Sequence, residues 1–173
     1  MSDGKTHSAV TIGATAGLLA GYYSGYFIDP HLFPIVAASC LAGIALSPDT
    51  DVDGGYIGHY YARKIFGKPG EWYYNGIMKP YQLSFKHRSF WSHFPLISTL
   101  LRLTYMAMPF IIIPFSDQDT PVSEIFIRCI ISSVLLMPVW FILYTLHPDW
   151  GIFVSVYIGL AISDTLHYLF DYF

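Results

Sequence analysis

Five apolar stretches alternate with polar connections along this chain. They lie at about 8–28, 32–47, 94–115, 125–146 and 151–170. Most of them approach the roughly 20 residues that a helix needs to cross a bilayer, although the second is short. Soluble helices normally carry a polar stripe, and these stretches show little of one. The pattern predicts an all-α, membrane-embedded bundle of four to five apolar helices, with a buried soluble bundle as the alternative.

The composition favours the membrane interpretation. Hydrophobic residues make up 54% of the chain and charged residues only 12%, whereas roughly a quarter of a soluble domain is charged. A net charge of −3 is too small to indicate a nucleic-acid-binding protein. We therefore expect one membrane-associated domain over residues 1–173, with membrane lipids as partners and no nucleic acid.

The longest connection, residues 49–93, is expected to be a loop that is rich in aromatic residues. It also holds six of the nine basic residues, which are Arg63, Lys64, Lys68, Lys79, Lys86 and Arg88. The positive-inside rule places this loop on the cytoplasmic face. Tyrosine and tryptophan interleaved with lysine are typical of a segment at the headgroup interface. Residues 54–92 are also a candidate surface for a protein partner.

Three aspartates, Asp49, Asp51 and Asp53, follow the second apolar stretch and precede two glycines. A calcium-binding EF-hand loop begins with the same alternation, but its twelfth position must be a bidentate glutamate. Counting from Asp49, the twelfth position is Tyr60. An EF-hand is therefore not predicted, and a looser oxygen-ligand site or a solvated turn remains.

Histidines stand at the starts of two apolar stretches. His87 and His93 come just before the third stretch, and His7 lies at the start of the first. Ser92 is a candidate N-cap for the helix that follows His93. Taken alone, His87 and His93 are better interpreted as residues at the membrane interface.

The last apolar stretch ends in a second ionisable group. His167 and Asp171 are four residues apart and share a helix face with Asp164, three residues before His167. A histidine and a carboxylate at this spacing offer two ligands to one ion. The structural alternative is a packed histidine that Asp171 merely orients. Because ionisable residues near membrane spans are costly and usually functional, the groups together favour a metal site.

In order along the chain, these motifs resemble a family of bacterial inner-membrane metal-dependent hydrolases of the LexA-binding type and its metal-binding relative. The matching pieces are Thr6-His7-Ser8, Leu46-Ser47-Pro48-Asp49 with Asp51 and Asp53, Lys79-Pro80-Tyr81, the HRSxxSH segment 87–93, and the HxxxD segment 167–171. That family is distantly similar to zinc-dependent phospholipases C and single-strand nucleases. The resemblance implies a bacterial-type inner-membrane protein whose site faces the cytoplasm, and a metal-dependent phosphoesterase activity.

We therefore expect a divalent ion, with zinc first and manganese second, because mixed histidine and carboxylate ligands suit these metals. Asp53 is a candidate general base and Arg88 a candidate clamp for a phosphate oxygen of a small phosphorylated or lipid-like substrate. The alternative is a metal-binding membrane scaffold without turnover. The candidate ligands are His7, Asp49, Asp51, His87, His93, Asp164, His167 and Asp171.

The number of crossings decides whether these ligands can meet. If all five stretches cross the membrane, His167 and Asp171 lie on the side opposite to Asp49. One stretch must then fail to cross. The segment 106–114 is the first candidate because Pro109 and Pro114 can bend or end a helix there, and Pro138 is the second.

Overall fold

A computed structural model describes residues 4–25, 31–47, 57–87, 89–111, 119–146 and 148–172 of the chain. All regular structure in these residues is helical, as the sequence predicts. The helices are α1 (Gly4–Tyr23), α2 (Phe33–Ala42), α3 (Ile57–Ser84), α4 (Phe90–His93), α5 (Pro95–Ala107), α6 (Val122–Leu146) and α7 (Trp150–Tyr172).

Two helices among the described residues are long and apolar enough to cross a membrane, α6 and α7. Four to five such helices were expected. α2 has 10 residues and α5 has 13, which makes them about 15 and 20 Å long, short of a hydrocarbon core of about 30 Å. α5 ends at Ala107, within the predicted break, and one 3₁₀ turn follows. α6 continues through Pro138.

The expected loop 49–93 is a helical hairpin over most of its described part, so the loop prediction is wrong there. α3 is interrupted at Gly67, whose φ of 67° and ψ of −156° are readily adopted only by glycine. Two contacts show that its two arms fold back on each other. His59 Nε2 lies 3.1 Å from Glu71 Oε1, and the Tyr74 hydroxyl lies against Gly58. Aromatic residues expected at an interface, including Phe66 and Trp72, are exposed on this hairpin.

Small residues bring α2 against α7. Gly159 of α7 lies against the backbone of Val36 and Cys40, and Gly43, just after α2, lies against Ser163. The two helices therefore run in the same direction. α1 runs the opposite way, since its last turn stacks on the start of α2 through Tyr22 and Phe33, with ring centroids 5.6 Å apart. The beginning of α1 and the ends of α2 and α7 thus meet at one end of the bundle.

Replacing Gly159 by alanine is expected to lower the free energy of unfolding by about 1–3 kcal/mol, because the close packing leaves no room for a methyl group. That methyl group would lie 2.7 Å from Ser39 Cβ and 2.8 Å from the Cys40 nitrogen. Gly13→Ala in α1 is the matched control, since no described heavy atom lies within 4 Å of the added carbon. Thermal unfolding in detergent micelles measures both variants. Equal stability of the two variants would contradict the packing described here.

Helix α1 buries polar residues and exposes apolar ones, which is the reverse of a surface helix in a soluble protein. His7, Thr11 and Thr15 of α1 form a buried stripe, whereas Ile12 and Leu19 of the same helix are exposed. Buried hydroxyls bond to carbonyls of their own helix, as Thr15 Oγ1 does to Thr11 O at 2.9 Å. Most large apolar side chains of α6 point outward. Small polar residues between helices and apolar residues outside are typical of helices packed in lipid.

Candidate metal centre

Three ionisable side chains meet where α1 begins and α7 ends. His7 Nε2 lies 3.2 Å from Asp171 Oδ1, and His167 Nε2 lies 3.5 Å from Asp171 Oδ2. The rings of His7 and His167 are stacked with their centroids 3.9 Å apart. One turn of α7 places His167 and Asp171 on the same face, as their spacing predicts, and the antiparallel course of α1 brings His7 to them. Asp171 therefore bridges two imidazoles from opposite ends of the chain.

Two further predicted histidines extend this group. The His93 ring lies 6.3 Å from the His167 ring, and the His87 ring lies 5.0 Å from the His93 ring, centroid to centroid. His93 is buried, whereas His87 is exposed. The four imidazoles form a continuous series that leads from the buried His7 to the exposed His87. The structure thus brings together all four histidines of the predicted set.

Ser92 has a different role from the helix cap that the sequence predicts. Ser89 caps α4, because its side chain accepts a hydrogen bond from the Ser92 amide. The fully buried Ser92 hydroxyl instead lies 3.0 Å from His93 Nδ1 and also bonds to the carbonyl of Lys86 at 3.2 Å. Pro95 then begins α5. Ser92 therefore orients the His93 ring, as outer partners of metal-binding histidines commonly do.

Asp164 lies one turn before His167 but faces another helix. Its carboxylate accepts hydrogen bonds from Arg102 and Thr99 of α5, and it is completely buried. Both hydrogen bonds go to Oδ2 of Asp164, and this ion pair holds α5 to α7. Sequence reasoning missed Arg102, although a single basic residue inside an apolar stretch is itself a signal of function or pairing.

The three aspartates and Arg88 lie outside the described residues, so their roles stay predictions. Ser47, which follows α2, is the last described residue before the aspartates in the sequence. This end of α2 lies beside Ser163, four residues before His167. His87 and Ser89 stand on either side of Arg88 in the sequence.

The side chains present fit a metal ion. One ligand atom from each of His7, His167 and Asp171 lies within 4.8 Å of the others. Bonds of about 2.0–2.2 Å from zinc to nitrogen or oxygen put neighbouring ligand atoms roughly 3.4 Å apart in a tetrahedral site. The two histidine–carboxylate distances, 3.2 and 3.5 Å, are already close to this spacing. Buried imidazoles beside a carboxylate are the donor set that zinc and manganese use.

A comparison with known families supports the same interpretation. The family model described as "Uncharacterized metal-binding protein (DUF2227)" matches residues 2–173, essentially the whole chain. The chain belongs to this metal-binding family. No curated protein and no solved structure matches it. For this member of the metal-binding family, the His7–His167–Asp171 group is the candidate location of the ion among the described residues. The match names neither the metal nor a reaction.

Proposed function

We propose that this metal-binding protein is a membrane-embedded, metal-dependent hydrolase that cleaves a phosphoester in a lipid-like or small phosphorylated substrate. The observation that carries the proposal is the group of His7, His167 and Asp171. Structural zinc sites are closed by four protein ligands, whereas catalytic sites have three and keep a position for water or substrate. The described residues bring two histidines and one carboxylate together at the end of the bundle, and this set matches the second type.

The protein's own residues would have separate roles in binding the ion, orienting a neighbouring histidine and accepting a proton. His7, His167 and Asp171 would hold the ion, and Ser92 would keep the His93 ring in a fixed orientation beside them. A divalent ion in this position supplies Lewis-acid activation of water. Asp53 is the proposed general base, because a carboxylate outside the ligand set can take a proton from the attacking water.

Arg88 would orient the substrate by binding its phosphate group. A guanidinium group presents donors in a planar fork that matches two oxygens of a phosphate. Arg88 lies next to His87, the exposed end of the histidine series.

We further propose that the protein is embedded in a membrane. α6 and α7 are the two candidate spans, α1 buries a polar stripe, and most large apolar side chains of α6 are exposed. Basic residues concentrate on the α3 hairpin, where Arg63, Lys64 and Lys68 are exposed. The positive-inside rule then places the hairpin on the cytoplasmic side of a bacterial-type inner membrane. The exposed aromatic residues of the hairpin would lie at the lipid headgroups.

The alternative is a metal-stabilised membrane scaffold. It is favoured by one observation, the position of His93, whose ring is 6.3 Å from that of His167. If His93 were a fourth ligand, the site would be closed and structural. The two functions differ in turnover, so one experiment distinguishes them.

We expect the purified full chain to hydrolyse a phosphodiester such as bis(p-nitrophenyl) phosphate or a phospholipid headgroup when it is loaded with zinc or manganese. Chelation should abolish this activity. His7→Ala should lower it by about 100-fold or more, because a ligand contributes more than an outer partner does. His59→Ala is the matched control, since His59 pairs with Glu71 on the α3 hairpin. A metal-loaded protein that turns over no phosphoester across a broad panel would instead support the scaffold.

A further inference from the structure

Helix α4 carries side chains of opposite character on its two sides. His93 is buried, and its ring lies 6.3 Å from that of His167 in the candidate metal centre. Phe90 and Trp91 are exposed, and so is Phe94, which directly follows the helix. One short helix therefore presents a histidine to the metal centre and an aromatic surface to the outside of the bundle.

The three aromatic residues Phe90, Trp91 and Phe94, here called the α4 patch, contact one another. The Phe90 ring stacks on that of Phe94 with the centroids 5.0 Å apart, and it meets the Trp91 ring edge to face at 5.7 Å. In α5, Leu96 and Leu100 are also exposed and lie one turn apart on the same helix face. A contiguous apolar surface of this kind marks a place where the protein contacts a partner or a membrane.

The level of the α4 patch follows from α7, which is a candidate membrane span. His167 lies about 26 Å along the helix axis from Trp150, the first residue of α7. The hydrocarbon core of a bilayer is about 30 Å thick. If α7 crosses the bilayer from Trp150, His167 therefore lies near the opposite edge of the core. His93 contacts the same end of α7, so α4 lies at the level of the lipid headgroups.

We propose that the α4 patch lies in the surrounding bilayer at the level of the headgroups, so that the metal centre takes its substrate from the membrane. Of the lipid-like and small phosphorylated substrates, this arrangement favours the lipid. The inner side of α4 would meanwhile hold the His93 ring, whose Nδ1 lies 3.0 Å from the Ser92 hydroxyl. This inference rests on the membrane location and the hydrolase activity of the proposed function.

The composition and position of the α4 patch favour lipid over a second protein as its partner. An indole ring places its apolar body in lipid and its N–H group among the headgroups, so tryptophan is favoured at this level. Lys86, which precedes the patch in the sequence, is exposed and can extend toward water. A protein partner would require no particular level along α7, whereas the patch coincides with the edge of the hydrocarbon core.

Hydrolysis at this level would release each product into its own medium. The oxygen of water bonds to phosphorus, and one phosphorus–oxygen ester bond breaks. The phosphate keeps the water oxygen, and the oxygen of the released alcohol takes up a proton. The product that carries the acyl chains stays in the bilayer, and the other product enters the water. A centre at the level of the headgroups is accessible to both media.

Depth-dependent quenching of Trp91 tests where the patch lies. The zinc-loaded full chain is placed in vesicles of phosphatidylcholine that is brominated either near the headgroup or near the chain ends. The fluorescence of Trp91 is the difference between the wild type and W91F. Bromine near the headgroup should quench it about twofold or more strongly than bromine near the chain ends. Equal quenching by both lipids, or quenching by aqueous iodide alone, would overturn the inference.

A second measurement compares hydrolysis of phosphatidylcholine in vesicles with that of soluble bis(p-nitrophenyl) phosphate. The double variant F90Q/F94Q should lower the ratio of the two rates by about tenfold or more, because two phenyl rings lose their contact with lipid. F90L/F94L keeps apolar side chains and should recover most of the ratio. The matched control is F141Q/F153Q, which changes two exposed phenylalanines of α6 and α7 and should keep the ratio. Circular dichroism and metal content establish that each variant is folded and loaded.

Each contrary result has a separate interpretation. An unchanged ratio in F90Q/F94Q, an equal fall in F141Q/F153Q, or hydrolysis of the soluble substrate alone contradicts this inference and leaves the proposed function intact. A wild type that is dimeric in detergent, with F90Q/F94Q monomeric, would show that a second copy covers the patch and would also overturn the inference. A metal-loaded wild type that hydrolyses neither substrate contradicts the proposed function, and the quenching of Trp91 then decides the location of the patch by itself.

Discussion

Replacing His167 by alanine is expected to lower the affinity for zinc or manganese by at least about 100-fold, because it removes one of the three candidate ligands that the described residues bring together. His167 stacks on His7 and pairs with Asp171, so its loss also removes one of the contacts that orient each of these side chains. Asp171→Ala is expected to act in the same way. Metal analysis of the purified proteins after dialysis against a weak chelator measures the effect.

His59→Ala is the control for the loss of one imidazole, since His59 lies on α3 and pairs with Glu71. It should retain the metal of the wild type. The variant Asp51→Ala is measured in the same way. It should bind less metal than the wild type if the aspartate segment contributes a ligand, as the sequence predicts. Circular dichroism establishes that each variant is folded. Wild-type metal content in folded His167→Ala would show that the group at the end of α7 is not the metal site.

Replacing Asp164 by alanine is expected to lower the free energy of unfolding by about 3–5 kcal/mol, because it leaves the guanidinium of Arg102 buried without its carboxylate. The Arg102 side chain is 9% exposed and that of Asp164 is fully buried. Thr99 would lose the same acceptor. Thermal and denaturant unfolding in detergent micelles measure the effect.

The double variant Asp164→Ala/Arg102→Met separates a structural ion pair from a metal ligand. Removing both charges is expected to recover most of the lost stability, since buried ion pairs are often replaced by apolar residues at little cost. The recovered protein should bind metal within about tenfold of the wild type, an effect of the size that outer partners have. If a stable double variant loses its metal completely, Asp164 is a ligand rather than a link between α5 and α7.

Local patterns predicted the parts of this protein that depend on neighbouring residues. The HxxxD spacing placed His167 and Asp171 on one face because a helix repeats every 3.6 residues. The prolines after Met106 indicated the end of α5. The α3 hairpin was missed because aromatic, basic and glycine residues occur together both in loops and in interfacial helices. Only the positive φ of Gly67 and the return of Glu71 to His59 reveal the hairpin.

By itself, the sequence determined the helical class, the apolar character of the stretches and the residue types that can bind a metal. These follow from hydropathy, periodicity and ligand chemistry, all of which are local properties. Only the tertiary structure decided that His7 lies beside Asp171, 164 positions away in the chain, and that Asp164 pairs with Arg102. Helix order and direction decide such contacts, and they depend on close packing at positions such as Gly159, where no side chain separates α2 from α7.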